Sequence, residues 1–404
     1  MTLPEALLRL RERVSCRVGT EEVMLAEAYG RILAAPVIAG MNVPAHDNAA
    51  LDGYAVFHDD LDASGETRLP VTGRAAAGAP LPHPARRGEA VRIFTGAMMP
   101  AGSDTVIMQE DCMREAGFVR LPARIAAGAN RRLAGEDVAA GSEILSAGRV
   151  LRPQDIGLAA SVGITRLSVF KRLRVALFST GDELLEPGAK LPPGAVYDAN
   201  RYALLGLLRG LGCVVDDLGI LPDSFERLRD TLAEAALDHD LLVTSGGMST
   251  GEEDHMKAAV EAQGSLHFWR LAIKPGRPVA LGQVGSVPFL GLPGNPVAAV
   301  VTFFLLARPL ILILSGAEPS DPPLYRLPAG FDWAKKPGRR EFLRARLEPD
   351  AGGILVARKY PREGAGVLSS ITASDGLVVL GEAVTGVAAG DLVDFLPFSE
   401  VMGA

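Results

Sequence analysis

The stretch RVALFSTGDEL, residues 174–184, joins a short apolar run to a polar turn that contains glycine. The same order recurs in LLVTSGGMSTGEED, residues 241–254, and in PFLGLPGNP, residues 288–296. Beside these runs, apolar residues recur at helical spacing and predict helices over 200–211, 224–238 and 254–262, with a long helix from Pro296. Strands that alternate with helices in this way are typical of a mostly parallel sheet with helices on both faces. We therefore expect an α/β domain at residues 171–318.

Three glycine-containing loops follow strands of this expected sheet, at the end where such sheets bind ligands. Glycine lets a backbone N–H group approach a ligand closely. In the third loop, Asn295 suits a helix N-cap and Pro296 suits the first helical position. A helix N-terminus that follows a glycine turn suits a phosphate or another oxyanion. A single loop of this kind is also explained by ordinary turn chemistry, whereas three at one sheet edge favour an oxyanion site.

Charged side chains accompany these loops. Lys274 and Arg277 flank a Pro-Gly corner, where they suit contact with a bound anion, a solvated pair of cations being the alternative. Asp182, Glu183 and Asp254 follow two strands of the same edge, and carboxylates beside phosphates usually hold Mg²⁺. Asp254 also suits a simple helix cap. The loops match neither the Walker A nor the G-x-G-x-x-G pattern, which disfavours kinases and dehydrogenases.

The amino-acid composition excludes several classes of fold and of binding partner. The 404 residues suit roughly two to four domains, and 48% hydrophobic residues exclude wholesale disorder. The 45 glycines and 28 prolines indicate many turns, which disfavours an all-helical bundle. A formal net charge of −7 without a long basic run disfavours nucleic acid as the main partner. The 3 widely spaced cysteines fit neither a disulfide framework nor a structural zinc site.

The rest of the chain predicts further domains. Short apolar runs separated by Gly, Pro and Asp over residues 46–134 predict a β-rich module. We expect this module to be inserted into a mixed domain built from residues 1–45 and 135–170. The strand-like runs GLVVL and DLVDF near the C-terminus predict a small β domain over residues 319–404.

Two features disfavour export or membrane insertion. The helix expected over residues 3–14 carries Glu5 and Arg9 where a signal peptide has an apolar core. The most apolar stretch, residues 296–314, is expected to break at Arg308-Pro309, and a bilayer-spanning helix needs about 20 residues. We therefore expect a cytoplasmic protein without a membrane partner.

At its motifs the sequence resembles a known family, the molybdopterin molybdenumtransferases, called MoeA in bacteria and the E domain of gephyrin in animals. The resemblance covers nearly the whole chain, and the motifs in this order are highly specific. They are DNAALDGYAV (47–56), TGA (95–97), GED (135–137), STGDEL (179–184), SGG (245–247), KPGRP (274–278) and GLPGNP (291–296).

The resemblance implies an elongated homodimer with four domains in each chain. These are an elongated mixed N-terminal domain, an inserted β-rich domain, a three-layer α/β domain similar to MogA-type adenylyltransferases, and a small C-terminal β-barrel. The implied reaction takes adenylylated molybdopterin, releases AMP with Mg²⁺, and inserts molybdate at the pterin dithiolene. Because the sulfur ligands for molybdenum belong to the substrate, such an enzyme needs no Cys or His cluster. A MogA-type adenylyltransferase is an expected partner.

The resemblance also assigns roles to residues. The expected catalytic residues are Asp52, Glu183, Asp223, Asp254 and Lys274. The expected binding residues are Thr95, Arg132, Asp137, Ser179, Thr180, Gly181, Ser245, Gly246, Gly247, Ser249, Arg270, Gly276, Arg277, Pro293, Gly294, Asn295 and Pro296. The expected Mg²⁺ ligands, inferred above from the residues themselves, are Asp182, Glu183 and Asp254. In the family dimer, the positions of Asp52, Thr95, Arg132 and Asp137 belong to the other subunit, so the active site would be shared between subunits.

Some positions depart from the family pattern or admit another explanation. The family usually has Ser and Met where this chain has Ala49 and Leu51. Leu51 keeps an apolar side chain of similar volume, whereas Ala49 lacks a hydroxyl. Asp52 also suits a turn, Thr95 a cap, and Asp137 a helix or turn acceptor. Two other functions stay open: adenylylation of molybdopterin by ATP, and a pterin-binding or scaffold protein without activity.

Overall fold

The computed structural model describes residues 1–246, 255–318 and 320–402 of the chain. Its helices are α1 (Leu3–Arg13), α2 (Pro153–Ser161), α3 (Ala199–Gly210), α4 (Phe225–Asp238), α5 (His255–Glu261), α6 (Pro296–Thr302), α7 (Arg308–Leu314) and α8 (Ser369–Thr372). Short 3-10 turns span Leu25–Glu27, His58–Asp60, Gln109–Asp111 and Phe398–Glu400. The helix predicted over residues 3–14 and the helices predicted beside the three loops are confirmed to within a few residues.

The first part of the chain is rich in strands. They are β1 (Thr20–Met24), β2 (Val37–Ile38), β3 (Asn48–Ala49), β4 (Gly53–Val56), β5 (Thr67–Ala75), β6 (Ala90–Ile93), β7 (Thr105–Met108), β8 (Met113–Glu115), β9 (Phe118–Leu121), β10 (Arg131–Arg132), β11 (Glu143–Leu145) and β12 (Arg166–Phe170). Strands β4 to β9 form a six-stranded sheet in the order β7-β4-β6-β5-β9-β8. The predicted β-rich character of this stretch is confirmed.

A separate small core lies beside that sheet. β1 pairs with β12, β2 pairs with β11, and β3 pairs with β10, all antiparallel. Leu33, Leu151 and Val169 are fully or almost fully buried in the core formed with α2. Helix α1 lies elsewhere, because Leu3 and Leu10 pack in the same cluster as the apolar helix after Pro296. The domain boundaries stay a prediction.

The central sheet carries the α/β architecture. Its strands are β13 (Arg174–Thr180), β16 (Val214–Leu221), β17 (Leu241–Ser245), β18 (Gly264–Arg270), β20 (Pro278–Val284) and β21 (Val287–Leu292), with β14 (Leu184–Leu185), β15 (Val196–Tyr197) and β19 (Ile273–Lys274) in the loops. The order is β16-β13-β17-β21-β20-β18. β16, β13, β17 and β21 are parallel, which confirms a mostly parallel sheet. β20 and β18 are antiparallel additions at one edge, and β18 was not predicted.

Both faces of this sheet are covered, as expected for strands that are nearly continuous apolar runs. Leu177 of β13 packs with Leu204 of α3 and with the helix after Pro296. On the opposite face, Phe178 packs with Leu228 of α4 and Met256 of α5. Neighbouring residues of one strand thus face different layers, which gives the predicted three layers.

The apolar stretch after Pro296 is one continuous helical run. α6 passes into a π-helical segment, Phe303–Ala307, and then into α7. The predicted break at Arg308-Pro309 is wrong, because Pro309 lies in the first turn of α7, where its missing N–H is tolerated, and a π turn precedes it. The run Pro296–Leu314 has the length and hydropathy of a membrane span, yet 83% of that window is buried inside the fold. It is therefore a core helix.

The last part of the chain is a second β structure. Its strands are β22 (Tyr325–Pro328), β23 (Trp333–Ala334), β24 (Arg340–Pro349), β25 (Leu355–Lys359), β26 (Gly376–Leu380), β27 (Gly386–Val387) and β28 (Leu392–Pro397). The sheet order is β19-β24-β26-β28-β22, with β25 on the long strand β24. An isolated bridge joins Ala329 to Ala357. Because β19 pairs with β24 in parallel, the loop that carries Lys274 belongs to this sheet as well.

Candidate functional site

A cleft of about 570 Å³ lies between the central sheet and the C-terminal sheet. One wall consists of loops at the carboxyl ends of β13, β17 and β21, including Glu183, Gly246 and Pro293–Asn295. The other wall comes from the C-terminal sheet and includes Trp333, Arg339, Arg344 and Glu363. The segment Lys274–Pro278 joins the two walls. The sheet edge predicted to bind ligands is therefore one side of an interdomain cleft.

The two glycine loops of the first wall touch each other. Gly246 has a φ of +90°, a conformation that favours glycine. An added Cβ at Gly294 would lie 3.6 Å from the Gly246 Cα. Behind them, the Asn200 side-chain amide donates hydrogen bonds to Ser245 Oγ at 2.8 Å and to the Gly294 carbonyl at 2.7 Å. Sequence reasoning missed Asn200, although its position at the start of a predicted helix could have pointed to it.

Three buried hydroxyl groups lie at the ends of the adjacent strands β13 and β17. They are Ser179 Oγ, Thr180 Oγ1 and Thr244 Oγ1, and none has a hydrogen-bond partner in the described parts of the chain. All three residues are at most 1% exposed. Buried hydroxyls without partners are unusual and call for an explanation, such as a ligand or an ordered water. Thr244 was not among the predicted binding residues.

The loop with Asp182 and Glu183 is held by a buried arginine. Both carboxylates are exposed, after Gly181 at the end of β13. Arg201 of α3 pairs with Asp198 at 3.0 Å, with Asp217 of β16, and with Glu186 three residues beyond Glu183. Burial alone would lower the pKa of Arg201, but the hydrogen bonds to these carboxylates outweigh burial and raise that pKa. The guanidinium therefore stays charged and fixes the loop to the sheet.

The second wall is rich in cations. Lys274 Nζ lies 3.4 Å from Glu341 Oε1 and 5.6 Å from the ring centre of Trp333. The Trp333 indole N–H donates to the other oxygen of Glu341 at 3.1 Å, and Lys359 Nζ covers the ring at 4.4 Å. Glu341 is only 5% exposed, so this charge network is buried at its base. Its members fix the direction of Lys274 toward the cleft.

Arg344 is a buried cation in the same wall, 5% exposed. Its Nε donates to Ser370 Oγ at 3.0 Å, and its Nη2 donates to the carbonyls of Glu363 at 2.9 Å and Arg362 at 3.2 Å. Burial lowers the pKa of this guanidinium. Arg344 was not among the predicted site residues.

The helix N-terminus in the cleft differs from the prediction in two ways. Asn295 is the N-cap residue of α6 and Pro296 is the first helical residue, as predicted, but the Asn295 side chain makes no capping hydrogen bond. The N–H of Val297 donates to the Ala365 carbonyl at 2.9 Å. One N–H group of the expected oxyanion site is therefore already used by the protein, and the Asn295 side chain lines the cleft instead.

A second group of predicted residues lies in the β-rich part of the chain. Asp52 Oδ1 accepts hydrogen bonds from the Thr95 N–H at 2.8 Å and the Thr95 hydroxyl at 2.7 Å. These bonds, the backbone one foremost, hold the pKa of Asp52 below its usual value. Arg132 and Asp137 are exposed, and β10 brings Arg132 beside Asn48. These residues do not line the cleft of the same chain.

The predicted residues thus fall into four sets. Those that line the cleft are Glu183, Gly246, Lys274, Gly276, Arg277, Pro293, Gly294 and Asn295. Those that lie outside its lining are Asp182, Ser179, Thr180, Gly181, Asp223, Ser245, Arg270 and Pro296. The set in the β-rich part is Asp52, Thr95, Arg132 and Asp137. Gly247, Ser249 and Asp254 lie outside the described residues. The roles of all these residues stay predictions.

A metal site was predicted on Asp182, Glu183 and Asp254. Within residues 1–246, 255–318 and 320–402, no group of three or more His, Cys, Asp or Glu side chains is placed to hold a metal ion. Asp182 and Glu183 are exposed oxygen donors on one loop, and Glu183 faces the cleft. Mg²⁺ commonly uses one or two carboxylates together with substrate phosphates, so the donor chemistry fits this ion.

The chain matches three family models along its length. They are the MoeA N-terminal region (domain I and II) at residues 1–163, a probable molybdopterin binding domain at 176–312, and the MoeA C-terminal region (domain IV) at 326–398. The cleft lies between the stretches matched by the second and third models.

Curated proteins and solved structures match over similar lengths. The chain is 39% identical to the molybdopterin molybdenumtransferase of Haemophilus influenzae, covering 100% of both chains. It is 34% identical to molybdopterin molybdenumtransferase 2 of Mycobacterium tuberculosis, covering 93% of this chain and 94% of the other. A crystal structure of a molybdopterin biosynthesis MoeA protein from Pyrococcus horikoshii superposes with a TM-score of 0.84 at 28% identity, covering 98% of this chain and 99% of that chain.

Proposed function

The chain belongs to the MoeA family of molybdopterin molybdenumtransferases, and from this premise we propose that it inserts molybdate into adenylylated molybdopterin and releases AMP. It is a transferase of molybdenum cofactor biosynthesis. The substrate in its adenylylated form, the release of AMP and the need for Mg²⁺ are the finer parts of the proposal.

The cleft itself carries the proposal. Four cationic side chains, Lys274, Arg277, Arg339 and Arg344, line it beside the carboxylates Glu183 and Glu363. The opposite wall offers the glycine turns at Gly246 and Gly294. Outside the lining, buried hydroxyls at the ends of β13 and β17 have no hydrogen-bond partner among the described residues. Molybdate and the pyrophosphate bridge of an adenylylated pterin are both oxyanions, which such donors suit. A cation-rich wall that faces glycine turns fits a substrate with anionic groups along its length.

The residues would act by electrostatics and orientation. Lys274 and Arg277 would hold phosphate or molybdate oxygens and stabilise the charge that develops on them as AMP leaves. The turns at Gly246 and Gly294 would fix the substrate against that wall, which aligns the attacking oxygen with the phosphorus. Glu341, at 5% exposure, would hold the Lys274 ammonium in its direction toward the cleft through their ion pair.

Mg²⁺ is part of the same proposal. Asp182 and Glu183 would hold it, and Asp254 is the third predicted ligand, outside the described residues. When bound, the ion would neutralise negative charge on the phosphates. The measurement is AMP release with and without a chelator, and full activity in excess chelator would contradict this part of the proposal.

The main test is a reaction with purified components. We expect the protein, given adenylylated molybdopterin, Mg²⁺ and molybdate, to release AMP and to yield cofactor that activates an apo-molybdoenzyme. Lys274→Gln should lower kcat/KM by about tenfold or more, because one positive charge is lost at the oxyanion. The matched control is Lys171→Gln, since Lys171 is exposed and precedes β13 at the opposite end of the sheet.

Other outcomes favour other functions. ATP-dependent turnover of free molybdopterin would favour the adenylyltransferase alternative. Tight binding of the adenylylated substrate without AMP release would favour a pterin-binding scaffold. Wild-type activity in both Asp52→Ala and Asp254→Ala would contradict the residue assignment.

We further propose a homodimer whose active site is shared between subunits. The support is that Thr95, Arg132 and Asp137 are exposed and that Asp52 does not line the cleft of its own chain. Exposed Met98, at 42%, lies beside this group and suits burial in an interface. These side chains would then complete the cleft of the partner subunit.

Mixing two impaired variants tests the shared site. Asp52→Asn and Lys274→Gln should each lose most of their activity, yet a mixed dimer holds one site with both residues intact. Random reassembly makes half of the dimers mixed, so about a quarter of wild-type activity should return. Mixing Asp52→Asn with Arg132→Gln is the control, because every site then keeps one defect. No recovery in the first mixture, with mixed dimers verified by mass, would contradict a shared site.

A cytoplasmic location and a MogA-type adenylyltransferase as supplier of the substrate complete the proposal. The support for the location is that the helix in the described chain with the length and hydropathy of a membrane span is 83% buried in the fold. Co-purification of the protein with such an adenylyltransferase, and its recovery in the soluble fraction of cells, are the measurements.

A further inference from the structure

Asn200 joins two loops that carry the cleft, although it does not line the cleft itself. It is the second residue of α3, behind the ends of β17 and β21. Its side-chain amide donates to Ser245 Oγ at 2.8 Å and to the Gly294 carbonyl at 2.7 Å. Both hydrogens of one –NH₂ group are therefore used, one on each loop.

The two loops touch at glycine positions where little room is left. An added Cβ at Gly246 would lie 3.0 Å from the Thr180 carbonyl oxygen, and one at Gly294 would lie 3.6 Å from the Gly246 Cα. Ser245 Oγ also lies 3.4 Å from the Pro293 carbonyl that it donates to. A shift of either loop relative to the other therefore moves Gly246, Pro293 and Gly294, all of which line the cleft.

The Asn200 amide is itself held in place by its neighbours on α3. Asp198, 2% exposed, caps the helix by accepting a hydrogen bond from the Arg201 N–H at 3.1 Å. The Arg201 side chain, 4% exposed, donates to the same carboxylate at 3.0 Å and to Asp217 Oδ1 of β16 at 2.6 Å. The first turn of α3 is thus fixed to the sheet, and Asn200 transmits this rigidity to the two loops.

We propose that Asn200 is a positioning residue for the transfer reaction, which sets the distance between the β17 and β21 loops through its two hydrogen bonds. This inference rests on the function proposed above. Because Asn200 does not line the cleft, it acts on the substrate only through Ser245, Gly246 and Gly294. Its loss leaves every lining side chain in place but removes the restraint on their alignment.

The test compares Asn200→Ala and Asn200→Asp with wild type. Asp has the shape of Asn but cannot donate when ionised, so it separates the hydrogen bonds from the packing. We expect kcat for AMP release to fall by about tenfold or more in both variants, since misalignment by about 1 Å can lower a rate about a hundredfold. KM should change by less than about threefold, because the lining side chains stay present.

A measured binding stoichiometry separates misalignment from a loss of folded protein. We expect one substrate bound per cleft in each variant, as in wild type, and faster amide hydrogen exchange in the loops around Ser245 and Gly294. Arg209→Ala is the matched control, because Arg209 is exposed at the other end of α3. It should keep wild-type kcat and loop exchange.

The outcomes are distinguishable. A wild-type protein that releases no AMP contradicts the proposed function. A wild-type protein that releases AMP, with kcat in Asn200→Asp within about threefold of it, overturns this inference alone. If kcat falls only in proportion to the fraction of clefts that no longer bind substrate, the inference on Asn200 is overturned as well. If one of the two variants does not fold, the other gives the same decision.

Discussion

The backbone N–H of Val297 donates a hydrogen bond to the carbonyl oxygen of Ala365, 2.9 Å away. This bond ties the start of the long core helix to the segment that follows β25. The same segment is held from its other side by Arg344, which donates to the carbonyls of Arg362 and Glu363. The C-terminal wall of the cleft is therefore attached to the start of α6 by a backbone hydrogen bond, and Arg344 holds the segment that makes this bond.

Replacing Arg344 should affect activity and stability together. Arg344→Lys keeps the charge but cannot reach Ser370 Oγ and two carbonyls at once. We expect kcat/KM to fall by about tenfold or more and the free energy of unfolding to fall by about 2 kcal/mol, since buried carbonyls lose their donor. Arg346→Lys is the control, two residues later on the same strand and exposed. Unchanged activity and melting of Arg344→Lys would contradict this role.

The Asp52 carboxylate should stay ionised across the working pH range. The Thr95 N–H and hydroxyl hold its pKa below the usual value of 3.8. Its charge is therefore complete at every pH well above that value. We expect Asp52→Asn to lower kcat/KM by a constant factor between about pH 5.5 and about pH 8.5. Full pH–rate profiles of both proteins give the measurement, and a ratio that changes with an apparent pKa inside this range would speak against it.

Gly276 should tolerate no side chain. It has a φ of +95°, and a Cβ there would lie 2.3 Å from Thr302 Oγ1 and 3.2 Å from the Ala298 carbonyl oxygen. We expect Gly276→Ala to lower the free energy of unfolding by about 3 kcal/mol, from backbone strain together with overlap. Gly285→Ala is the control, since Gly285 also has a positive φ, +57°, but open space around it. If denaturant unfolding shows the same loss of unfolding free energy for both variants, overlap with Thr302 does not contribute to the loss at Gly276.

Asp155 should contribute stability that disappears in acid. Burial alone would raise its pKa, but hydrogen bonds from Arg152 and Arg149 outweigh burial and lower the pKa to about 2, against 3.8 unperturbed. A group whose pKa is lowered in the folded state stabilises it above the unfolded value, and this contribution is lost as the pH falls through about 2. We therefore expect Asp155→Asn to cost about 2 kcal/mol at neutral pH and progressively less below about pH 4.

The control for Asp155 is Glu22→Gln, an exposed carboxylate on β1 of the same part of the chain. Denaturant unfolding at neutral and acid pH gives the measurement. A loss for Asp155→Asn that stays the same size at low pH would mean that the charge of Asp155 is not its cause.

The sequence predicts the first wall of the cleft well, because short local patterns identify the strands and turns that form this wall. Apolar runs that end in glycine turns identify β13, β17 and β21, and parallel strands bring their carboxyl ends together. Gly246, Gly294 and Glu183 were thus found from their spacing alone. Asn200 was not, since its two partners are loops far along the chain and no local pattern shows which helix start faces them.

The second wall depends on pairing that local sequence does not encode. β19 is only two residues long, and its parallel pairing with β24 joins Ile273 to Arg340 across many residues. In the sequence, nothing distinguishes Arg344 from the other arginines of the same strand. Its burial depends on the pairing of β24 with β19, which no local pattern shows. The broken helix was predicted because proline usually ends a helix, whereas a π turn before Pro309 lets this one continue.

The placement of α1 has a consequence for how the chain is made. Leu3 and Leu10 share a cluster with Phe304, in the most apolar helix of the described chain. α1 precedes that helix in the chain, so a segment that covers part of its apolar surface is synthesised before it. Packing against α1 removes apolar surface from water in a segment whose length and composition alone would suit a membrane span.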